Sequence, residues 1–155
     1  KGIRPVFRKH FIRGTKYSVI LAADVHGIVN YGIVNGCTNA HIFFKFIIRF
    51  LARYCNPFPG PRSITIVDNC SIHKYLPLKL IYRFYGTKML YLSPYSPWLM
   101  PVEVLFNCMK MKLQAYHDYY LRHPITCLSI ILEQMRDFDV MGFALQSGYG
   151  HFCQY

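Results

Sequence analysis

Acidic residues are scarce in this 155-residue chain, which has seven Asp and Glu against 18 Lys and Arg and a formal net charge of +11. The scarcity is uneven, because residues 1–100 hold two acids and 14 bases while residues 101–155 hold five acids and four bases. A local positive field attracts polyanions such as nucleic acid, since each neutralised phosphate releases condensed counterions. Composition alone is equally compatible with bases that only keep an apolar chain in solution.

Long apolar runs, secretory leaders and metal-finger motifs are also lacking. The most apolar stretch, His41 to Tyr54, contains three bases and is shorter than the roughly 20 residues of a bilayer span, so we expect no membrane segment. No leader of charged, apolar and small residues begins the sequence. The six cysteines form no C-x-x-C pair and show no zinc-finger spacing with the seven histidines, which favours buried free thiols over disulfides or zinc sites.

The chain does have ample material for a core, since 53% of its residues are apolar. That fraction excludes intrinsic disorder, and the length suits one domain, which we expect to span residues 1–155. Predicted strands are Tyr17 to Ala23, Ile28 to Val34, Ser63 to Val67 and Thr87 to Leu92, the first two forming a hairpin. Predicted helices run from the N-cap Asn39 to Tyr54, from Lys74 to Tyr85, from Pro101 onward, and from about Ile125 to Phe138. This order predicts an α/β domain with a mixed central sheet flanked by helices.

Two acids stand at positions where chemistry often occurs. Asp68 ends the third predicted strand, and functional side chains gather at the carboxyl ends of strands in α/β sheets. Glu103 lies in the first turn of the helix that starts near Pro101. Each position also has an ordinary structural explanation, since Asp-Asn is common in turns and a carboxylate at a helix start is favoured by the helix dipole.

A row of bases lies on the predicted helix after Asn39. Lys45, Arg49 and Arg53 follow one another at four-residue steps, which stacks them on one helix face. A solvated face is the more ordinary interpretation, and a stripe that contacts phosphates is the alternative.

Three motifs at fixed spacing carry more information than any single residue. They are Ile66-Val67-Asp68-Asn69-Cys70-Ser71-Ile72-His73, Leu92-Ser93-Pro94-Tyr95-Ser96-Pro97 and Pro101-Val102-Glu103, with 34 residues between Asp68 and Glu103. Together they resemble the catalytic core of the mariner-like and pogo-like transposases of the DDE superfamily. Further segments are similar to the same family: Arg13 to Ser18, Asn56 to Ser63, Lys110, and Ser147-Gly148-Tyr149.

The resemblance implies an RNase H-like fold in which three carboxylates hold two Mg²⁺ or Mn²⁺ ions. Hard cations of this kind take oxygen ligands, and a pair of them can assist in-line displacement at phosphorus. By resemblance, Asp68 is the second ligand and Glu103 the third, while Asn69 and His73 orient Asp68 or touch the DNA backbone. It further implies DNA as partner, a possible homodimer and a nuclear location. The bases expected to contact DNA are Arg13, Lys16, Lys45, Arg49, Arg62 and Lys110.

The sequence also departs from the family pattern. The family's first catalytic Asp precedes the segment that matches Arg13 to Tyr17, so we expect a catalytic domain without its first strand. Asp24 is not its substitute, since it lies in the predicted hairpin turn. Trp98 and Met100 stand where the family usually has Asp and Asn, and loss of an Asn N-cap costs about 1 kcal/mol.

Two functions follow from the sequence. The first is the catalytic domain of a DNA transposase, with the chain as it stands inactive. The second is a decayed or domesticated fragment that retains only non-specific DNA binding. An unrelated basic α/β protein would require both the motifs and their spacing to be coincidence.

Overall fold

The fold was analysed in a computed structural model, which describes residues 15–94 and 100–145. Within these residues the chain alternates between strands and helices, and none of the helices is long and apolar enough to cross a membrane. The strands are β1 Tyr17–Asp24, β2 Gly27–Asn35, β3 Ile64–Val67 and β4 Lys88–Tyr91. The helices are α1 Ala40–Tyr54, α2 Leu76–Phe84, α3 Val102–Ala115, α4 His117–Arg122, α5 Pro124–Gln134 and α6 Met141–Ala144, with a short 3₁₀ helix at Ser71–Lys74.

Strands β1 and β2 form an antiparallel hairpin closed by a tight turn. The register pairs Tyr17 with Asn35 and Asp24 with Gly27, with an irregularity between Ala22 and Ala23. Gly27 adopts φ +132° and packs against the backbone of Arg136, whose carbonyl oxygen accepts the N–H of Ile28 at 2.8 Å. The segment after α5 is therefore held against the turn by backbone contacts.

Strands β3 and β4 are parallel and are joined by α2. Ile64 lies opposite Lys88 and Val67 opposite Tyr91. The turn after α2 is closed by Gly86, which adopts φ +66°, a region that residues with a Cβ enter at a cost. A parallel pair with a helical crossover places the carboxyl ends of both strands at one edge of the sheet.

The four strands described make two two-stranded sheets, β1–β2 and β3–β4. The predicted α/β class with both antiparallel and parallel pairs is confirmed, whereas a continuous central sheet is not formed by these four strands. The sequence patterns locate strands but do not determine which edges meet. One face of the second sheet exposes the apolar side chains of Ile64, Ile66 and Leu90.

Two apolar cores lie on opposite faces of the hairpin. Alternate residues of β1 point in opposite directions, so Val19 and Leu21 pack against α3 and α5 while Ile20 packs against α1 and α2. The second core also includes Met89 of β4. Helices α1 and α2 therefore form one layer that covers both sheets.

Most predicted elements are confirmed, with bounds that differ by a few residues. Asn39 caps α1, because its side chain accepts the N–H of Ile42 at 2.9 Å. The predicted helix from Lys74 is divided at Tyr75, since a 3₁₀ helix precedes α2 and Pro77 occupies the first turn of α2. The prediction missed α4 as a separate helix.

Two predictions about burial require correction. On α3 the sequence pattern assigns Val102, Phe106, Met109 and Leu113 to the core. Met109 is buried and the other three are partly buried against that core, but the pattern missed Leu105, the most deeply buried residue of the helix. The cysteines described are free thiols, yet Cys37 and Cys70 are exposed and only Cys127 is fully buried. Apolar neighbours in sequence did not guarantee burial at loop positions.

Candidate functional site

Asp68 directly follows β3, and its carboxylate is held by two donors. Oδ1 accepts the backbone N–H of Cys70 at 3.1 Å and lies 2.8 Å from Nδ1 of His73. The side chain is 56% exposed, and Oδ2 has no partner among the residues that the structure describes. Asp68 therefore presents one fixed oxygen and one available oxygen to solvent.

His73 is positioned from three sides. Its ring centroid lies 4.5 Å from that of Phe43 on α1, its Nδ1 is also 3.2 Å from the Asp68 carbonyl oxygen, and its side chain is only 13% exposed. The hydroxyl of Tyr91 donates to the His73 carbonyl oxygen at 2.7 Å. Because both oxygens near Nδ1 are acceptors, Nδ1 is the protonated nitrogen and donates to Asp68. Tyr91 is partly buried, which raises its pKa above the ordinary value of a tyrosine.

Asn69 is exposed beside Asp68 and lines a cavity of about 340 Å³ together with Lys74, Lys79 and Tyr91. The turn therefore carries an acceptor at Asp68 and a neutral amide at Asn69. Sequence reasoning did not single out Lys74, Lys79 or Tyr91. The available signal was weak, since exposed bases such as Lys74 on the 3₁₀ helix and Lys79 on α2 are ordinary on a protein surface.

Glu103 lies at the start of α3, where Pro101 is the N-cap residue and provides no side-chain cap. The carboxylate is exposed and forms no hydrogen bond or ion pair with the described residues, while its backbone N–H donates to the Met100 carbonyl oxygen at 3.0 Å. The family resemblance predicts the cap position at Met100, but the N-cap is the next residue, Pro101, whose side chain has no hydrogen-bond acceptor. The start of a helix favours a carboxylate through its free N–H groups.

The donor chemistry of Asp68 and Glu103 fits a hard divalent cation, because both offer solvent-accessible carboxylate oxygens. No hydrogen bond or ion pair joins these two residues. Across residues 15–94 and 100–145, no group of three or more His, Cys, Asp or Glu side chains is close enough to hold a metal ion. Within the described residues, Asp68 and Glu103 are therefore two separate exposed carboxylates.

Asp24 is engaged in structure, as expected for a residue of the hairpin turn. Its Oδ1 accepts the N–H of His26 at 2.9 Å, and its Oδ2 lies 2.7 Å from Nη2 of Arg62. Arg62 has φ +56°, which is uncommon for a residue with a side chain. The guanidinium of Arg62, expected to contact DNA, is thus already paired with a carboxylate.

The other bases expected to contact DNA lie on different elements. Lys16 precedes β1, Lys45 and Arg49 lie on α1, and Lys110 lies on α3; all four are exposed and none forms an ion pair with a described residue. Arg13 falls outside the described residues. No contact in the described structure joins these bases to Asp68 or Glu103.

The similarity to known proteins is clear at the level of family and fold. A family model described as DDE superfamily endonuclease matches residues 1–121. The structure resembles the Mos1 strand transfer complex with a TM-score of 0.62 and 18% identity over 97% of this chain and 44% of that one. It also resembles the Mos1 transposase paired-end complex with left transposon end, with a TM-score of 0.56 and 18% identity over 96% of this chain and 48% of that one. No curated protein matches the sequence.

This chain therefore spans less than half the length of the two solved chains, which share its fold at low sequence identity. The predicted RNase H-like fold is confirmed by those two structures. Since the family model covers more than half of the sequence, the chain belongs to the DDE superfamily endonucleases.

Proposed function

We propose that this chain is a catalytic-domain segment of a DNA transposase, in which Asp68 and Glu103 supply two of the carboxylates that hold divalent metal ions during DNA strand cleavage and strand transfer. The observation that carries the proposal is the position and hydrogen bonding of the Asp68 carboxylate. Its carboxylate follows β3 within the family motif, is oriented by His73 through Oδ1, and keeps Oδ2 available to solvent. Family membership supports the reaction class.

The residues of the proposed site have two roles: Asp68 and Glu103 would bind the metal ions, and His73 orients the Asp68 carboxylate. Bound Mg²⁺ or Mn²⁺ would stabilise the attacking and leaving oxygens of a displacement at phosphorus. His73 donates to Asp68 and is itself packed against Phe43, so the carboxylate does not have to be ordered when a ligand arrives. Glu103 presents its carboxylate from the first turn of α3.

DNA is the proposed partner. Mos1, whose fold this chain shares, is described in a strand transfer complex and in a complex with a transposon end. The exposed bases Lys16, Lys45, Arg49 and Lys110 are available for phosphate contacts, whereas Arg62 must first give up Asp24. A nuclear location and the pairing of two copies remain expectations of the family resemblance.

The alternative function is a catalytically inactive fragment with residual DNA binding. It is favoured by one observation, namely that the described residues gather no group of three metal-binding side chains. The coding sequence upstream of Lys1 discriminates between the two functions. An in-frame strand that ends in Asp would support the enzyme, and a start codon directly before Lys1 would support the fragment.

Manganese binding tests the proposed site directly. In electron paramagnetic resonance titrations, we expect weak Mn²⁺ binding by the 155-residue chain that is lost in Asp68→Asn and reduced in Glu103→Gln. Asp118→Asn is a matched control, because Asp118 is exposed in the first turn of α4 and has no partner in the described structure. Equal binding by all three variants would overturn the assignment.

Nicking of supercoiled plasmid tests whether the chain is active on its own. Because only two of the family's three catalytic carboxylates, Asp68 and Glu103, have counterparts in this sequence, we expect no Mg²⁺-dependent nicking. Metal-dependent nicking that is lost in Asp68→Ala would show instead that this chain is an active enzyme and would exclude the inactive fragment.

A further inference from the structure

Two adjoining cavities follow the edge of β4 next to α2. One, of about 350 Å³, is lined by Lys79, Tyr82, Arg83, Thr87, Met89 and Tyr91. The other, of about 340 Å³, is lined by Asn69, Lys74, Lys79 and Tyr91. Because Lys79 and Tyr91 belong to both walls, we treat the cavities as one channel and call it the β4 groove.

The β4 groove carries unbalanced positive charge. Lys74, Lys79 and Arg83 are exposed and form no ion pair with any residue in the described part of the chain. No acidic side chain contributes to either cavity wall. Three cations that converge on one channel without a carboxylate favour an anionic ligand.

The groove also contains a fixed aromatic ring. Tyr91 is 38% exposed and stands between the two cavities. Its hydroxyl is anchored by donation to the His73 carbonyl oxygen at 2.7 Å, so the ring is held in place before a ligand binds. A partly exposed, immobilised ring is a surface on which a nucleobase can stack.

The groove leads to Asp68. In the parallel register Tyr91 lies opposite Val67, the residue that precedes Asp68, and Asn69 lines the second cavity. On its other side, β4 pairs with no strand in the described structure, so the edge beside α2 is open. A strand of nucleic acid in the groove would therefore reach Asn69, the residue next to Asp68.

We infer that the β4 groove binds a single-stranded segment of DNA whose terminus lies at Asp68. Each cavity is at the lower end of the size range of small-molecule pockets, about 300–1,000 Å³, and accommodates one nucleotide-sized group rather than a duplex. Proteins that bind single strands combine a positively charged groove with aromatic side chains, as Lys79, Arg83 and Tyr91 do here. The inference rests on the proposed function in one respect, which is that the strand terminus at Asp68 would lie at a catalytic carboxylate.

The test is fluorescence anisotropy of a labelled oligothymidylate of about 12 nucleotides, with the 155-residue chain in EDTA. We expect Lys79→Ala/Arg83→Ala to weaken binding at least about tenfold and to reduce the slope of log affinity against log salt by about 1.4, since each phosphate contact contributes about 0.7 for single strands. Affinity for a duplex of the same length should change less.

Two further variants separate stacking from charge. Tyr91→Phe keeps the ring but removes its hydrogen bond to His73, so it should lose less affinity than Tyr91→Leu, which removes the stacking surface and should lose at least about fivefold. The matched charge control is Lys112→Ala/Arg122→Ala, which removes the same two residue types from α3 and α4. Circular dichroism of each variant checks that it is folded.

Equal losses in the two double variants would overturn the inference, since binding would then reflect net charge. A larger loss for duplex than for single strand would overturn it as well. Asp68→Asn distinguishes this inference from the proposed metal site, because without metal it should not weaken oligothymidylate binding. Failure of Mn²⁺ binding therefore leaves the groove intact as a proposal, and failure of the groove leaves the metal site intact.

Discussion

Arg62 reaches across from the loop before β3 to the end of β1, where its Nη2 lies 2.7 Å from Oδ2 of Asp24 and its Nε donates to the same oxygen at 2.8 Å. This ion pair links the β1–β2 hairpin to the sheet that carries Asp68. Asp24 is 22% exposed and Arg62 is 44% exposed, so solvent screens the pair in part. Its role is to fix the relation of two elements rather than to supply much stability.

Arg62→Ala should lower the free energy of unfolding by about 0.5–1 kcal/mol at low salt, and the loss should shrink as salt rises. Arg62→Gly should lose less than Arg62→Ala, because the left-handed backbone at φ +56° costs a residue with a Cβ about 1 kcal/mol. Urea unfolding measures both. Arg49→Ala, which removes an exposed base without an ion pair, is the control, and a loss as large as that of Arg62→Ala would contradict the prediction.

His73→Ala should weaken Mn²⁺ binding about tenfold, because residues that orient a metal ligand typically contribute 10- to 100-fold in affinity. The proposed cause is loss of the donor to Oδ1 of Asp68. His73→Gln should recover part of the affinity, since its amide can donate. His123→Ala is the matched control, as its ring also packs on an aromatic residue, Tyr119, at 5.3 Å. Equal affinities for the two alanine variants would exclude an orienting role.

Gly27→Ala should be strongly destabilising, by about 2–4 kcal/mol. A Cβ at this position would overlap the carbonyl oxygen of Arg136, which already accepts the N–H of Ile28, and φ +132° disfavours any side chain. Gly142→Ala in α6 meets nothing within 4 Å and should be neutral or more stable by up to about 1 kcal/mol. Thermal unfolding compares them, and similar melting temperatures would refute the role assigned to the turn.

Acid should destabilise the contact between the hairpin and α5. Hydrogen bonds from Arg136 and from the Tyr31 hydroxyl lower the pKa of Glu133 to about 2. Because the folded pKa lies below the unfolded value, Glu133 stabilises the fold at neutral pH, and this contribution is lost as pH falls from about 4.5 towards 2.

Glu133→Gln should therefore be less stable than the parent at pH 7 and should lose less on acidification to about pH 3. Urea unfolding at the two pH values measures both effects. Asp137→Asn serves as the control, since Asp137 is exposed, lies outside the helices and forms no hydrogen bond or ion pair with a described residue. Parallel losses for the parent and for Glu133→Gln would show that other groups dominate the acid transition.

Features that depend on neighbouring residues in sequence were predicted well. The Asn39 cap is a hydrogen bond to a residue three positions away, and the helix it begins has an apolar face at regular spacing. The β-branched run that ends at Asp68 became β3. The family resemblance, rather than the pattern of residues, brought His73 into the site beside Asp68.

Features that depend on distant residues were missed. Whether Lys79 and Arg83 are ordinary surface bases or walls of a groove is decided by β4, whose edge lies beside α2 only in the folded chain. Leu105 is buried because α5 covers α3, which the spacing of apolar residues on α3 does not reveal. The four described strands form two separate sheets because of which strand edges meet in the folded chain, and the sequence pattern of each strand does not reveal its partner.

Because β3 and β4 pair in a parallel register, the number of residues between them determines the face of the sheet on which Tyr91 lies. Side chains of a strand alternate between faces, so one residue added or removed between Phe84 and Lys88 would turn Tyr91 to the opposite side of the sheet. Its hydroxyl would leave His73, and the β4 groove would lose the ring shared by its two halves. Among relatives of this chain, insertions should therefore be rarer in the short turn at Gly86 than in the loop at residues 56–62.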